Sequence, residues 1–149
     1  MLHKYLTNNM KDIIDKNPYK ERYKNNNDIF LHIRLDDAKG WNVGIEYYIH
    51  CINLLIHESD NIYIGSDDFE DHLIKKIKKL YPKVILLKKN SVETIQFGST
   101  CKNIILSHGS FSVIIGYLGF FSNVYFPNKN PIWCPLGMFE NKGFNPVNI

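Results

Sequence analysis

The chain has 149 residues, enough for one domain with a substantial core but short for two full lobes. Hydrophobic residues at 44% and charged residues at 22% exclude a disordered chain, and no stretch is long and apolar enough to span a bilayer. A formal charge of +3 is too mild for a dedicated nucleic-acid binder and better suits a small anionic ligand.

The N-terminus, MLHKYLTNNMKDIIDK, has neither the apolar run nor the small-residue cleavage site of a secretory signal, so the expectation is a cytoplasmic protein. Residues 1–27 are polar and rich in Lys, Asn and Tyr, with one apolar seed at Ile13-Ile14. They read as a helix and linker that add little core. Residues 28–127 read as the folded domain, and 128–149, with Pro131, Pro135 and Pro146, as an irregular tail that wraps back through Trp133 and Phe139.

Within the domain, strands alternate with helices. IFLHIR (29–34) is a strand buried on both faces, followed by a loop and a helix in which Ile45, Tyr48, Ile49, Ile52, Leu55 and Ile56 form one apolar stripe. NIYIGS (61–66) is the second strand; the helix after it turns Leu73, Ile74, Ile77, Leu80 and Tyr81 inward and Lys75, Lys76, Lys78 and Lys79 toward water. KVILL (83–87) is the third strand and a weaker helix follows over 91–101. NIILS (103–107) is the fourth strand, VIIGYLGFF reads as a helix buried on nearly all sides, and NVYFP (123–127) is the fifth strand. This alternation predicts an α/β fold, a doubly wound, mostly parallel five-stranded Rossmann-like sheet in the order 3-2-1-4-5.

In such sheets ligands bind outside the carboxyl ends of the strands, where the strand order reverses. Polar clusters fall there three times: HIRLDD closes strand one, GSDD strand two and SHGS strand four. Burying the guanidinium of Arg34 unpaired would be costly, so it must meet an anion, either a diphosphate or Asp36 or Asp37. The SHGSFS turn allows close backbone approach at Gly109 and opens a helix N-terminus, with Ser110 and Ser112 either donating to an anion or capping the helix. Asp67 is placed to accept from a ribose or base, and Asp68 to cap the next helix. Cys51, Cys101 and Cys134 are too few and too scattered for a disulfide framework; Cys51 and Cys101 read as core residues. The histidines lack metal-ligand spacing, so no metal site is expected.

His32-Ile33-Arg34 with Asp37, then Ser66-Asp67-Asp68, then Ser110-Phe111-Ser112 before an apolar helix, and VYFP with a later Trp133, resemble the nucleotide-sugar half of GDP-fucose-dependent fucosyltransferases. The likeness is greatest to the alpha-1,2 type, whose pattern is H-[IV]-R-R-G-D, S-D-D and S-T-F-S-W-W, and it covers about residues 28–133. Leu35 stands for the second Arg, Asp36-Asp37 for Gly-Asp, and Val113-Ile114 for Trp-Trp.

The resemblance implies a GT-B-type donor domain in an inverting, metal-independent glycosyltransferase that needs no cofactor and moves a sugar from GDP-fucose or a related sugar nucleotide to a glycan acceptor. It implies a catalytic role for Arg34, at the diphosphate; Asp37 is the second catalytic candidate, orienting Arg34, and Asp36 and Asp37 are both within loop reach as base. It places His32 and Asp67 near the guanine and Ser110, Phe111, Ser112 and Val113 at the phosphates. Because only 27 residues precede the folded domain, an acceptor lobe is expected from a second copy, a partner chain or a longer protein. The competing readings are a noncatalytic nucleotide-sugar-binding or assembly module and, with less support, a receiver-like domain phosphorylated on Asp67.

Overall fold

The computed structural model describes residues 1–35, 42–129, 138–139 and 142–148. Six strands form one sheet: β1 (Ile29–Ile33), β2 (Ile62–Ser66), β3 (Ile85–Leu86), β4 (Asn103–Ile105), β5 (Asn123–Pro127) and β6 (Asn145–Val147). Their order is β3-β2-β1-β4-β5-β6, and every neighbouring pair is parallel. The domain is therefore a Rossmann-like α/β fold with the predicted inner order and one further strand.

That strand corrects the expectation of an irregular tail at 145–147. Asn-Pro-Val carries no strand signal, and its proline is tolerated because β6 lies at the sheet edge. Pairing is completed from outside the strand by the Asn128 N–H, which donates to the Val147 carbonyl at 2.8 Å. Phe139 also returns to the core, fully buried and stacked on Phe126 with centroids 5.0 Å apart, while Trp133 and Cys134 lie outside the described residues.

Strand β1 shows why the sheet needs helices on both sides. All five of its residues are buried, and the two-residue period sends Ile29, Leu31 and Ile33 to one face and Phe30 to the other. On the first face they meet α3 (Ile45–Leu55) through Tyr47, Tyr48, Cys51 and Ile52, and α4 (His72–Leu80) through Ile74 and Ile77. On the second face lie α5 (Ser91–Gly98), with Phe97, and α6 (Ser110–Leu118), with Val113 and Ile115. Leu80, expected inside, is 52% exposed, because it ends α4 just where Pro82 breaks the periodic stripe. The four lysines of α4 are all exposed, as expected.

Phe30 fixes how closely α5 approaches the sheet. A Cβ at Gly65 of β2 would stand 2.8 Å from the Phe30 ring, and one at Gly98 of α5 only 2.6 Å from it. The ring occupies the space that side chains at both positions would need.

The N-terminal segment forms α1 (Leu2–Asn8), α2 (Met10–Lys16) and a 3-10 turn at Lys20–Arg22. No residue of these three elements is buried, yet the segment is tied to the domain by polar contacts. Arg22 lies over the Phe97 ring at 4.3 Å, and its Nη2 donates to Asp28 Oδ2 at 2.7 Å and its Nε to Thr100 Oγ1 at 3.0 Å. Asp28 is 3% exposed; its Oδ1 accepts from both the backbone and side-chain N–H groups of Asn61.

Candidate functional site

At the carboxyl edge of the sheet, a cavity of about 430 Å³ is lined by His32 and Arg34 after β1, Ser66 and Asp67 after β2, Lys89, Ser91 and Thr94 after β3, and Phe111 at the start of α6. Its volume is within the range of small-molecule sites. β1 and β4 are neighbours although β2 and β3 intervene in sequence, so the strand order reverses beside His32. This is where the fold leaves a crevice between helices of opposite faces.

His32 is 5% exposed, on the same face of β1 as Phe30. Its ring packs on Phe111, with centroids 4.9 Å apart and planes tilted 34°. Nδ1 lies 2.5 Å from Ser112 Oγ and 3.3 Å from Ser107 Oγ. Burial pushes the His32 pKa down to about 4; neighbouring Asp67 opposes that shift and Arg34 reinforces it. The imidazole is therefore neutral at neutral pH, and the cationic groups lining the cavity are Arg34 and Lys89.

Asp67 Oδ1 accepts the Leu35 N–H at 2.7 Å, and Ser66 Oγ donates to the Ile33 carbonyl at 2.7 Å. These bonds hold the ends of β1 and β2 together and set the height at which Arg34 leaves the sheet. Arg34 is half-buried, and the residue after it, Leu35, is 1% exposed in the core with the α3 and α4 side chains. The position at which the resemblance has a second Arg thus serves packing here.

The remaining expected residues separate. Ser110 is exposed at the first position of α6 and does not line the cavity. Ser112 is fully buried and Val113 is 2% exposed in the core, with its N–H donating to the Gly109 carbonyl at 3.1 Å. Neither serine caps α6: its N-cap is Gly109, at φ 103°, without a side-chain cap bond. Positive φ is the conformation for which glycine is suited. Helix α4 is capped by Asp71, which accepts the Leu73 N–H at 2.8 Å, and not by Asp68, whose Oδ1 accepts from Glu70 N–H at 3.0 Å within the preceding turn. Asp36 and Asp37 lie outside the described residues.

Ser66, from the GSDD cluster at the end of the second strand, completes the lining with Lys89, Ser91 and Thr94, which were not expected from the sequence. Lys88-Lys89-Asn90-Ser91 is a fourth polar cluster at a strand end, equivalent to the three that were recognised. The strand it closes is only two residues long, which weakens the signal. Asn90 caps α5 by accepting the Glu93 N–H at 2.9 Å, so the segment presenting Lys89 and Ser91 is fixed by the helix start.

Among the described residues no group of three or more His, Cys, Asp or Glu gathers as a metal site, and no helix is long and apolar enough to cross a membrane. Cys51 and Cys101 are buried, and burial pushes both thiols up to about 12, consistent with core residues.

Fold and cavity together define a Rossmann-like α/β domain with an open crevice at the strand-order switch. No protein-family model and no curated protein matches the chain. Among solved structures it is similar to the fucosyltransferase NodZ from Bradyrhizobium, with 14% identity and a TM-score of 0.51 over 86% of this chain and 46% of that one. A second NodZ structure, described as an alpha-1,6-fucosyltransferase soaked with GDP-fucose, matches with 14% identity and a TM-score of 0.49 over 73% of this chain and 41% of that one. The chain thus spans less than half the length of these structures. The likeness establishes a fucosyltransferase-like fold and does not single out the alpha-1,2 type.

Proposed function

We propose that this domain binds the nucleotide part of a sugar nucleotide, GDP-fucose or a related donor, as the donor side of a GT-B-type glycosyltransferase. The observation that carries the reading is the convergence of Arg34, His32, Asp67 and Phe111, distant in sequence, on one cavity at the strand-order switch. The fucosyltransferase-like fold supports it.

In this reading Arg34 meets the diphosphate with its planar fork, Phe111 and His32 form one wall, and Asp67, Lys89 and Ser91 face the nucleoside. An acceptor hydroxyl attacks the anomeric carbon as the bond from that carbon to the diphosphate oxygen breaks, and the charge left on the departing diphosphate develops beside Arg34. The transfer needs no metal and no cofactor, since the guanidinium supplies the positive charge. The hydroxyl proton goes to a carboxylate, for which Asp37 is the proposed candidate. A glycan acceptor would bind to a facing lobe contributed by further sequence, a partner chain or a second copy.

Calorimetric titration with GDP, UDP and ADP tests the reading. Saturable GDP binding is expected, and Arg34→Ala should weaken it at least tenfold, the equivalent of one charge-assisted hydrogen bond of about 1.5–3 kcal/mol, with the melting profile retained. If Arg34→Ala binds GDP as tightly as the parent, the phosphate assignment is wrong. GDP release from GDP-fucose above spontaneous hydrolysis, with a panel of glycans, supports transfer; GDP binding without release supports a noncatalytic module.

A further inference from the structure

Ser112 belongs to a hydroxyl-rich turn, yet its side chain is 0% exposed and does not line the cavity. Its Oγ accepts the Ser107 N–H at 3.1 Å, which occupies one lone pair and leaves the hydroxyl proton to be placed. Two acceptors are in reach, His32 Nδ1 at 2.5 Å and Ser107 Oγ at 3.1 Å. The shorter contact is to the imidazole nitrogen, a better base than an alcohol oxygen, so the proton is directed at Nδ1. The Ser107 hydroxyl has its own outlet in the His108 carbonyl at 3.3 Å and a second contact with Nδ1 at 3.3 Å.

A neutral imidazole that accepts at Nδ1 carries its proton on Nε2. Burial keeps this ring neutral, with a pKa of about 4. Phe111 packs against the ring and limits its rotation. Nδ1 is engaged by the two serines, so Nε2 is the polar atom that His32 can offer to the cavity it lines.

We propose that Ser112, backed by Ser107, is a positioning residue that holds His32 as its Nε2–H tautomer, so that a neutral donor meets an acceptor oxygen of the bound ligand. The ligand part rests on the nucleotide reading of the cavity; the tautomer does not. The acceptor is either a phosphoryl oxygen or a carbonyl oxygen of the base. Ser112 then acts on the ligand through His32 rather than by touching the phosphates.

Nitrogen-15 spectra of the histidine-labelled protein at pH 7.5 read the tautomer directly. The expected result is an unprotonated Nδ1 and a protonated Nε2 for His32, a mixture of tautomers in Ser112→Ala, and recovery in Ser112→Thr. A protonated Nδ1 in the parent, or an unchanged spectrum in Ser112→Ala, overturns the proposal.

Calorimetry with GDP and with inorganic pyrophosphate reads the consequence. Ser112→Ala should weaken GDP binding about tenfold, the loss of one neutral hydrogen bond, and Ser112→Thr should restore it. Weakening shared by pyrophosphate assigns the oxygen to a phosphoryl group, and weakening confined to GDP assigns it to the base. An altered tautomer with unaltered affinity for both overturns the donor role. If the parent binds neither compound, the nucleotide reading falls and takes the ligand role with it, while the spectrum still decides the tautomer.

Discussion

Lowering the pH from 7.5 to 5 should destabilise this domain by about 4 kcal/mol, and two buried histidines account for the loss. Burial depresses both His32 and His108 from an ordinary 6.5 to about 4, with Lys129 adding to the effect at His108. Since the folded values lie below the unfolded one, the unfolded chain binds more protons at any pH between 6.5 and 4. Stability is therefore fully present above about 6.5 and is lost as the pH falls, with the loss complete below about 4. At pH 5 an unfolded histidine is nearly all protonated and the folded one about a tenth, which costs about 2 kcal/mol for each. The two together give a slope of about 2 kcal/mol per pH unit near pH 5.5. His3, also lowered, by burial and by the positive charges of Lys142 and the N-terminus, acts in the same direction.

Urea unfolding followed by circular dichroism at pH 7.5, 6, 5.5 and 5 measures this slope. His108→Gln should remove about half of it whatever the variant does to stability at pH 7.5, because the glutamine does not titrate. A free energy of unfolding that is flat between pH 7.5 and 5 would refute the reasoning, since neither histidine could then be neutral by burial. A slope unchanged in His108→Gln would refute the assignment to that residue.

Asp28→Ala should cost about 3–5 kcal/mol by urea unfolding, because it strands a partly buried guanidinium on Phe97 and orphans both Asn61 donors; pairing it with Arg22→Met should recover part of the loss. Gly98→Ala should cost about 1–3 kcal/mol by overpacking Phe30, and Phe30→Leu in that background should cost less than it does alone. Tyr47→Phe should lose about 1–2 kcal/mol in the same assay, since the phenol donates to the Leu106 carbonyl at 2.7 Å inside the core between α3 and the end of β4.

The cavity was legible in outline because polar residues at strand ends are visible as interruptions of apolar runs. His32, Arg34 and Asp67, which line it, stand out in this way, whereas Phe111 was expected only through the resemblance. Lys89, Ser91 and Thr94 were not expected, since they follow a strand of two residues whose end is poorly marked. Ser112 shows the opposite failure. Its turn reads as an anion site, but whether a hydroxyl faces a ligand or a histidine 80 residues away depends on helix rotation. A serine suits either environment.

The sequence by itself determined the alternation of strands and helices and the buried faces of β1, α3 and α4, because periodic apolar side chains must leave water together. Only the tertiary structure decided that a Pro-containing tripeptide adds a sixth strand, that Phe30 sits where Gly65 and Gly98 leave room, and that Arg22 joins Asp28 to Phe97. Those outcomes depend on contacts between residues far apart in the chain, whose partners are fixed when the layers pack and not by any local pattern. The cavity belongs to the second class: its residues are local features, but their meeting is a property of the strand order.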